Sequence, residues 1–360
     1  MLRDLSADSP LSNAFLERVD ADISRFFDEQ THLMDAVGTS QLLAQARTYS
    51  TGGKRLRPAF CLWAYLAVGG DEAFLDEVLR VAASLDLLHA SALAHDDILD
   101  DADTRRGKPA AHKQYALLHA ERHGRGSAQA FGEAAAILLG DMLLMWSAQM
   151  FDESAAPNLE AARADLSRMR AEVTAGQFLD ISAAYDVADD ADELAVASRV
   201  LEYKSASYSM RRPALIGARL GGATDAQYAA LASFGSHIGH AFQLRDDVLG
   251  VWGDEALTGK PTGGDLREGK ATVLVLTALR EANDAQAATL RAVLGSKECS
   301  DDAVQQAAQA IEATGARAHV ERLIDEHLEQ GLEALASAVF DETGRAALMQ
   351  LAKLSTRRAY

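Results

Sequence analysis

The chain has 360 residues, 48% of them hydrophobic, and 53 acidic side chains against 35 basic ones give a formal net charge of −18. That balance argues against nucleic acid as the partner, and six prolines with abundant Ala and Leu favour helix over a β-rich fold. Two isolated cysteines, Cys61 and Cys299, make neither a disulfide framework nor a zinc site, and "MLRDLSADSPLSN" has no apolar core of a secretory signal, so the cytoplasm is the expected compartment.

Apolar residues recur at three- and four-residue spacing almost throughout. The pattern predicts helices over 11–36, 40–49, 56–68, 74–102, 110–120, 128–151, 159–185, 191–210, 212–220, 225–252, 270–283 and, with breaks, 301–358. The Gly/Pro/Asp-rich breaks between them are too short for domain linkers, and no strand alternation stands out. The expectation is one large all-α domain over 1–360, a helical bundle around a central cavity. The most apolar run, "AAAILLGDMLLMWSAQMF", is interrupted by Asp141 and reads as a core helix rather than a membrane span.

In chain order, the first segment with chemistry in it is "STGGKRLRPAF". Two glycines precede Lys54, Arg55 and Arg57, and Pro58 opens a helix, so three cations gather at a helix N-terminus, a plausible anion site. Next comes "SALAHDDILDDADTRRGKP", with Asp96, Asp97, Asp100, Asp101 and Asp103 closing an apolar helix. Residues four apart share a helix face, which pairs Asp96 with Asp100 and Asp97 with Asp101. Like charges at that spacing repel, and the helix C-terminus is already negative. A hard divalent ion such as Mg²⁺ would relieve both, so removing Asp96 or Asp100 is expected to leave the metal-free fold as stable or more so. Arg105 and Arg106 follow at once, and guanidinium, carboxylate and metal together suit a diphosphate. His89 lies two turns before Asp96 on the same face.

A similar arrangement returns in "HAFQLRDDVLGVWGDEALTGKPTGGDLREGK". Gln243 precedes Asp246 and Asp247 by about one turn, and Lys260 and Lys270 follow in a Gly-rich loop. Two such acidic helices facing each other would clamp metal ions between them.

In order and rough spacing, "GGKRLRP", "LLHASALAHDDILDDADTRRGKP", "GQFLD", "YKSAS" and "FQLRDDVLGVWGD…GKPTGGDLREGKAT" resemble the trans-type isoprenyl diphosphate synthases, the polyprenyl synthetase family. The resemblance runs from about residue 50 to 275. It implies a Mg²⁺-dependent condensation of isopentenyl diphosphate with an allylic diphosphate, in a homodimer. Lys54, Arg57 and His89, helped by Arg106, would hold isopentenyl diphosphate. Asp96 and Asp100 would carry Mg²⁺ with Asp97 in support, and Asp246 a further ion. Arg105, Lys204, Lys260 and Lys270 would meet the allylic diphosphate, Gln177 and Asp180 would line its side of the cavity, and Gln243, Lys204 and Ser205 would sit near the reacting carbons. Ser205 stands where the family commonly has Thr, and the hydroxyl survives. Where the family's second motif has a third Asp, this chain has Gly250. Asp254 or water are the candidate replacements, and an Asp introduced at 250 is expected to be tolerated and to face the ion.

The small residues Ser91 and Ala92, one turn below Asp96, leave a product tunnel open past fifteen carbons, with Leu88 and Leu85 as a floor. By the resemblance this favours the twenty-carbon geranylgeranyl diphosphate. A longer-chain synthase, a class I terpene cyclase and a non-catalytic subunit of a heteromeric synthase are the alternatives. The basic "GGKRLRP" loop argues against the cyclase, and the intact first acidic motif argues against the inert subunit.

Overall fold

The computed structural model describes residues 5–185, 187–189, 192–253, 262–296 and 298–357. Its helices are α1 Asn13–Val37, α2 Ser40–Ser50, α3 Leu56–Ala67, α4 Leu75–Leu99, α5 Ala111–Glu121, α6 Ala128–Asp152, α7 Leu159–Ala184 and α8 Glu193–Val200. A π-helical segment, Leu201–Arg211, then leads into α9 Arg212–Leu220. The remainder is α10 Asp225–Trp252, α11 Gly264–Glu268, α12 Val273–Glu281, α13 Asp284–Val293, α14 Asp301–Ala313, α15 Ala316–Ala336 and α16 Glu342–Thr356. The fold is all-α, as the periodicity implies. The two-residue strands β1 Thr104–Arg105 and β2 Lys108–Pro109 form a small antiparallel hairpin.

Helix α4 is the spine of the bundle. It packs against α6, α3 and α1, and its first five turns are almost wholly buried, from Leu75 and Val78 to Ala90 and Ser91. It ends at Leu99, three residues before the sequence pattern does, because Asp101 takes a left-handed φ of 48°. The Asp101 N–H then bonds the Ile98 carbonyl and the Ala102 N–H the Asp97 carbonyl, the paired bonds of a Schellman stop. Asp tolerates this conformation better than most residues.

Two apolar clusters hold the bundle together. One surrounds α3 and α4 and includes Phe26, Phe27 and Trp146, whose rings meet edge to face. The other gathers α10 to α15 around Leu266, Leu274 and Ile311. Helix α10 gives Leu231, Phe234 and Ile238 to the first and Ala241, Leu244 and Val248 to the second.

The segment 191–210, read from the sequence as one α-helix, is instead α8 followed by the π-segment. Its wider coil lies between α7 and α10, and glycines make room for it there. A Cβ on Gly176 of α7 would strike the Lys204 backbone, and one on Gly239 of α10 would come within 2.6 Å of Ala206 Cα. π-Helical stretches are rare and concentrate at functional sites.

Helix α6 is long and apolar enough to cross a membrane, but less than half of its most apolar stretch is buried. One face packs on α4 and α5, and the other leaves Phe131, Ile137, Leu138 and Met145 exposed beside Leu117 of α5.

Candidate active site

A cavity of about 780 Å³ opens between the loop before α3, helices α4, α7 and α10, the π-segment and the stretch from α11 to Val273. The basic loop forms one end. Arg55 has a left-handed φ of 50° and turns inward, bonding Asp86 at 2.7 Å, Asp20 at 2.9 Å and the Ser50 carbonyl at 2.8 Å. It fastens the loop, and its neighbours Lys54 and Arg57 line the cavity. Arg57 donates to Ser209 Oγ at 2.8 Å and lies 4.2 Å over the Tyr208 ring, whose hydroxyl is 3.3 Å from His89 Nδ1. Burial, then the nearby Arg57 and Arg106, hold the His89 pKa well below its usual value, so the ring is neutral. Burial also pushes the Tyr208 hydroxyl up to about 12.

The hairpin sends its two arginines apart. Arg106 and Gly107 both have positive φ, 53° and 73°, as a two-residue type I′ turn requires. Arg106 Nη1 donates to the Thr51 carbonyl at 2.6 Å, and its guanidinium packs against Gly53. Arg105 Nε donates to Asp97 Oδ1 at 2.8 Å.

The five aspartates separate in the same way. Asp97, expected beside the metal, is fully buried and absent from the cavity wall; it accepts bonds from Arg105 and the Tyr49 hydroxyl, so it positions Arg105. Asp101 and Asp103 turn to Lys113, at 2.9 and 3.3 Å. Asp96 lines the cavity, accepting from Gln177 Nε2 at 2.9 Å, with Lys204 Nζ 3.4 Å away. Lys204 also holds Asp180 at 2.6 Å. Burial alone would raise the Asp96 pKa, but Lys204, Lys270 and Arg105 outweigh it and hold it below the ordinary range. Asp100 is not on the wall, and burial followed by repulsion from Asp96 raises its pKa. The unrelieved repulsion expected of the pair is therefore confined to Asp100, because the chain's own cations already neutralise Asp96.

Gln243, Asp246, Asp247 and Gly250 of α10 form the opposite wall with Lys270, Lys204 and Ser205. Gln243 donates to Asp247 at 2.9 Å, and burial outweighs that bond, pushing the Asp247 pKa to about 8. Lys270 pairs with Glu268 at 2.7 Å and more loosely with Asp265 at 3.7 Å; despite burial, Asp265 and Glu268 raise its pKa. Lys260 and Asp254 lie outside the described residues. A Cβ on Gly250 would overlap the Asp265 carboxylate, so an Asp at 250 requires the Asp265 side chain to shift.

Ala92 and Val173 line both this cavity and a second recess of about 340 Å³, which Leu88, Ser91, Met145 and Arg170 also border. Leu85, expected in the tunnel floor, is buried away from the recess. Sequence reasoning gave no role to Tyr49, Asp86, Tyr208, Ser209 or Asp265. Tyr208 and Ser209 follow "YKSAS" directly and, four residues on from Lys204 and Ser205, line the same cavity.

A model of the polyprenyl synthetase family matches residues 40–311. The chain belongs to that family. It is 32% identical over 311 residues to a geranylgeranyl diphosphate synthase of Methanosarcina mazei, covering 86% of this chain and 87% of that one. It is 33% identical over 305 residues to a (2E,6E)-farnesyl diphosphate synthase of Mycobacterium tuberculosis, covering 83% and 78%. Its fold superposes with a TM-score of 0.92, at 37% identity over 99% of this chain and 100% of the other, on a Corynebacterium glutamicum geranylgeranyl pyrophosphate synthase complexed with isoprenyl diphosphate and magnesium. This polyprenyl synthetase is an enzyme, a prenyltransferase.

The polyprenyl synthetase cavity fits a magnesium–diphosphate pair in charge and donor type. Hard carboxylate oxygens of Asp96, Asp246 and Asp265 stand among Lys204, Lys270 and Arg105. Among the described residues no three His, Cys, Asp or Glu side chains already close around one point. Mg²⁺ is commonly held by one or two carboxylates together with water and phosphate oxygens.

Proposed function

We propose that this chain condenses isopentenyl diphosphate with an allylic diphosphate, in the presence of Mg²⁺, to give geranylgeranyl diphosphate and pyrophosphate. The observation that carries this reading is one cavity with two cationic ends and an apolar outlet between α4 and α7. Lys54, Arg57 and Arg106 hold isopentenyl diphosphate beside a neutral His89, with Tyr208 and Ser209 fixing Arg57. Asp96 and Asp246 line the cavity where they would hold Mg²⁺ with the allylic diphosphate, Asp100 stands behind that wall one turn from Asp96, and Arg105, Lys204 and Lys270, with Lys260, would meet the phosphates. Mg²⁺, when bound, neutralises charge on the departing pyrophosphate.

As the allylic C–O bond breaks, Lys204 and Lys270 stabilise the leaving oxygens, and Gln243 and Ser205 border the cationic carbons. The isopentenyl double bond forms the new C–C bond, and a proton passes from it to pyrophosphate. Gln177, bonded to Asp96, and Asp180, bonded to Lys204, keep those two groups in place. Leu93, Val173 and Phe242 in the wall help to exclude water that would quench the cation. The growing chain passes Ala92 and Val173 into the recess.

The exposed apolar face of α6 with Leu117 supports a homodimer in which a second copy covers it. The sharing of α10 between both apolar clusters supports a single domain over the whole length. Two free cysteines accord with the cytoplasm. The test is product analysis of the purified chain with isopentenyl diphosphate, Mg²⁺ and each allylic primer. A twenty-carbon main product is expected; absence of any condensation would overturn the reading.

A further inference from the structure

The π-segment puts Lys204 and Ser205 on the cavity wall, and two glutamates outside that wall tie it to the helices on either side. On the α7 side, Glu172 accepts from Ser207 Oγ at 2.6 Å and from Arg212 Nε at 2.9 Å. On the α10 side, Glu202 of the segment itself meets His240 Nε2 at 2.9 Å and accepts from Ser236 Oγ at 3.3 Å, while its other oxygen accepts from Arg211 at 2.9 Å. Burial would raise the Glu202 pKa, but His240, Arg211 and Ser236 outweigh it and hold Glu202 below the ordinary range, as a carboxylate. His240 has no second anchor: its Nδ1 is buried without a partner, and the ring beside it, 4.9 Å away, is that of His327. This contact stands next to Gly239, whose bare Cα lets the α10 backbone approach Ala206.

We propose that Glu202 and His240 are a pair of positioning residues that fix the spacing of the two walls around the reacting carbons. This rests on the prenyl-transfer reading above. Lys204 follows Glu202 by two residues, and Gln243 follows His240 by about one turn of α10; Lys204 and Gln243 line the cavity, and Glu202 and His240 do not. The pair therefore joins, from behind, the elements that border the allylic cation from the front. If it is broken, the walls are free to part and water gains room beside the cation. Water that adds to the cationic carbon forms a C–O bond and gives the allylic alcohol, its proton passing to pyrophosphate, in place of the new C–C bond.

The test measures the ratio of allylic alcohol to condensed product, which does not depend on how much of a preparation is folded. The full-length wild type, Glu202→Ala, His240→Ala, His240→Gln and the double variant Glu202→Ala/His240→Ala are incubated with farnesyl diphosphate, isopentenyl diphosphate and Mg²⁺. The water is labelled with heavy oxygen, so that alcohol formed by attack on carbon carries the label. Each single alanine variant should raise the ratio about fivefold, the loss of one hydrogen bond, and the double variant should be no worse than the worse single one. KM for isopentenyl diphosphate should stay within about twofold of wild type, because Lys54 and Arg57 belong to another part of the wall. His240→Gln, whose amide reaches the place of Nε2, should return the ratio to within about twofold of wild type. A raised ratio in Glu202→Ala with none in His240→Ala assigns the effect to the Glu202 charge and overturns the pair, as do additive effects in the double variant. An unchanged ratio in His240→Ala, or no rescue by His240→Gln, overturns it even where Glu202→Ala does not fold. A wild type that forms no condensation product removes the prenyl-transfer reading; a wild type that condenses, matched by its variants, removes the pair alone.

Discussion

Ala92→Phe is the sharpest test of how the chain measures its product. Ala92 lies one turn below Asp96 on α4 and, with Val173, borders both the main cavity and the recess of about 340 Å³ beyond. A phenyl ring there fills the passage between them. A product chain that buries one further isoprene unit in the recess gains about 0.8 kcal/mol for each of its five carbons, or about 4 kcal/mol. Denied the recess, the longer chain loses that advantage, and at about 1.4 kcal/mol per decade the preference falls by nearly a thousandfold. Purified variant and wild type would be incubated with excess isopentenyl diphosphate and each primer, and the hydrolysed products separated by chain length. The main product should shift from twenty carbons to fifteen or fewer, with turnover retained. Ser91→Phe, inside the recess, should act in the same direction. An active Ala92→Phe with an unchanged product profile would refute the tunnel between α4 and α7.

Arg57→Ala and Tyr208→Phe should chiefly raise KM for isopentenyl diphosphate, by about tenfold for the first and less for the second; an equal rise in KM for the allylic substrate would contradict the division of the cavity. Asp96→Asn and Asp100→Asn should both abolish turnover yet differ in metal-free melting. The first removes the charge that pairs with Lys204 and strengthens the bond from Gln177, at a cost on the order of 1 kcal/mol, and the second relieves repulsion and melts no lower. Arg170→Leu should lengthen the product distribution, because Arg170 borders the recess with Nε and Nη2 buried and without partners; unchanged lengths would show that the tail never reaches it. Finally, burial and repulsion from His240 and His237 lower the pKa of half-buried His327 to about 4. Between that value and the ordinary value of 6.5 the unfolded chain binds the extra proton, so stability held above about pH 6.5 is lost as pH falls towards 4, by about 2 kcal/mol after discounting for exposure. His327→Gln should flatten the melting temperature over that range, and an unaltered slope would exclude His327 as its source.

The helices and the chemistry-bearing stretches were legible because both are local. Apolar spacing marked most of the long helices to within a few residues, and two acidic helix ends with three basic segments marked the cavity. What escaped depends on contacts between elements. In "KRLR" the cations look alike, and only the folded chain shows that Arg55, with its left-handed backbone, is tied to Asp20 and Asp86 while it lines the cavity with Lys54 and Arg57. Asp97 reads as part of a metal cluster until Tyr49, far away in sequence, is seen to bind it. Gly250 reads as a missing ligand because α11, five residues long, is too short to show a period and nothing local says that Asp265 folds over it.

The π-segment makes this site sensitive to length in a way it is not to composition. An α-helix advances about 100° per residue, so losing the extra residue that a π-turn accommodates would rotate everything before it by that amount relative to everything after. Lys204 and Ser205 would swing off the wall that Tyr208 and Ser209 still faced. A substitution within Leu201–Arg211 changes one side chain, but a one-codon deletion there would separate the leaving-group side of the cavity from the isopentenyl side. Natural variation away from the cavity-lining Lys204, Ser205, Tyr208 and Ser209 should therefore change the letters of this stretch while leaving its residue count alone.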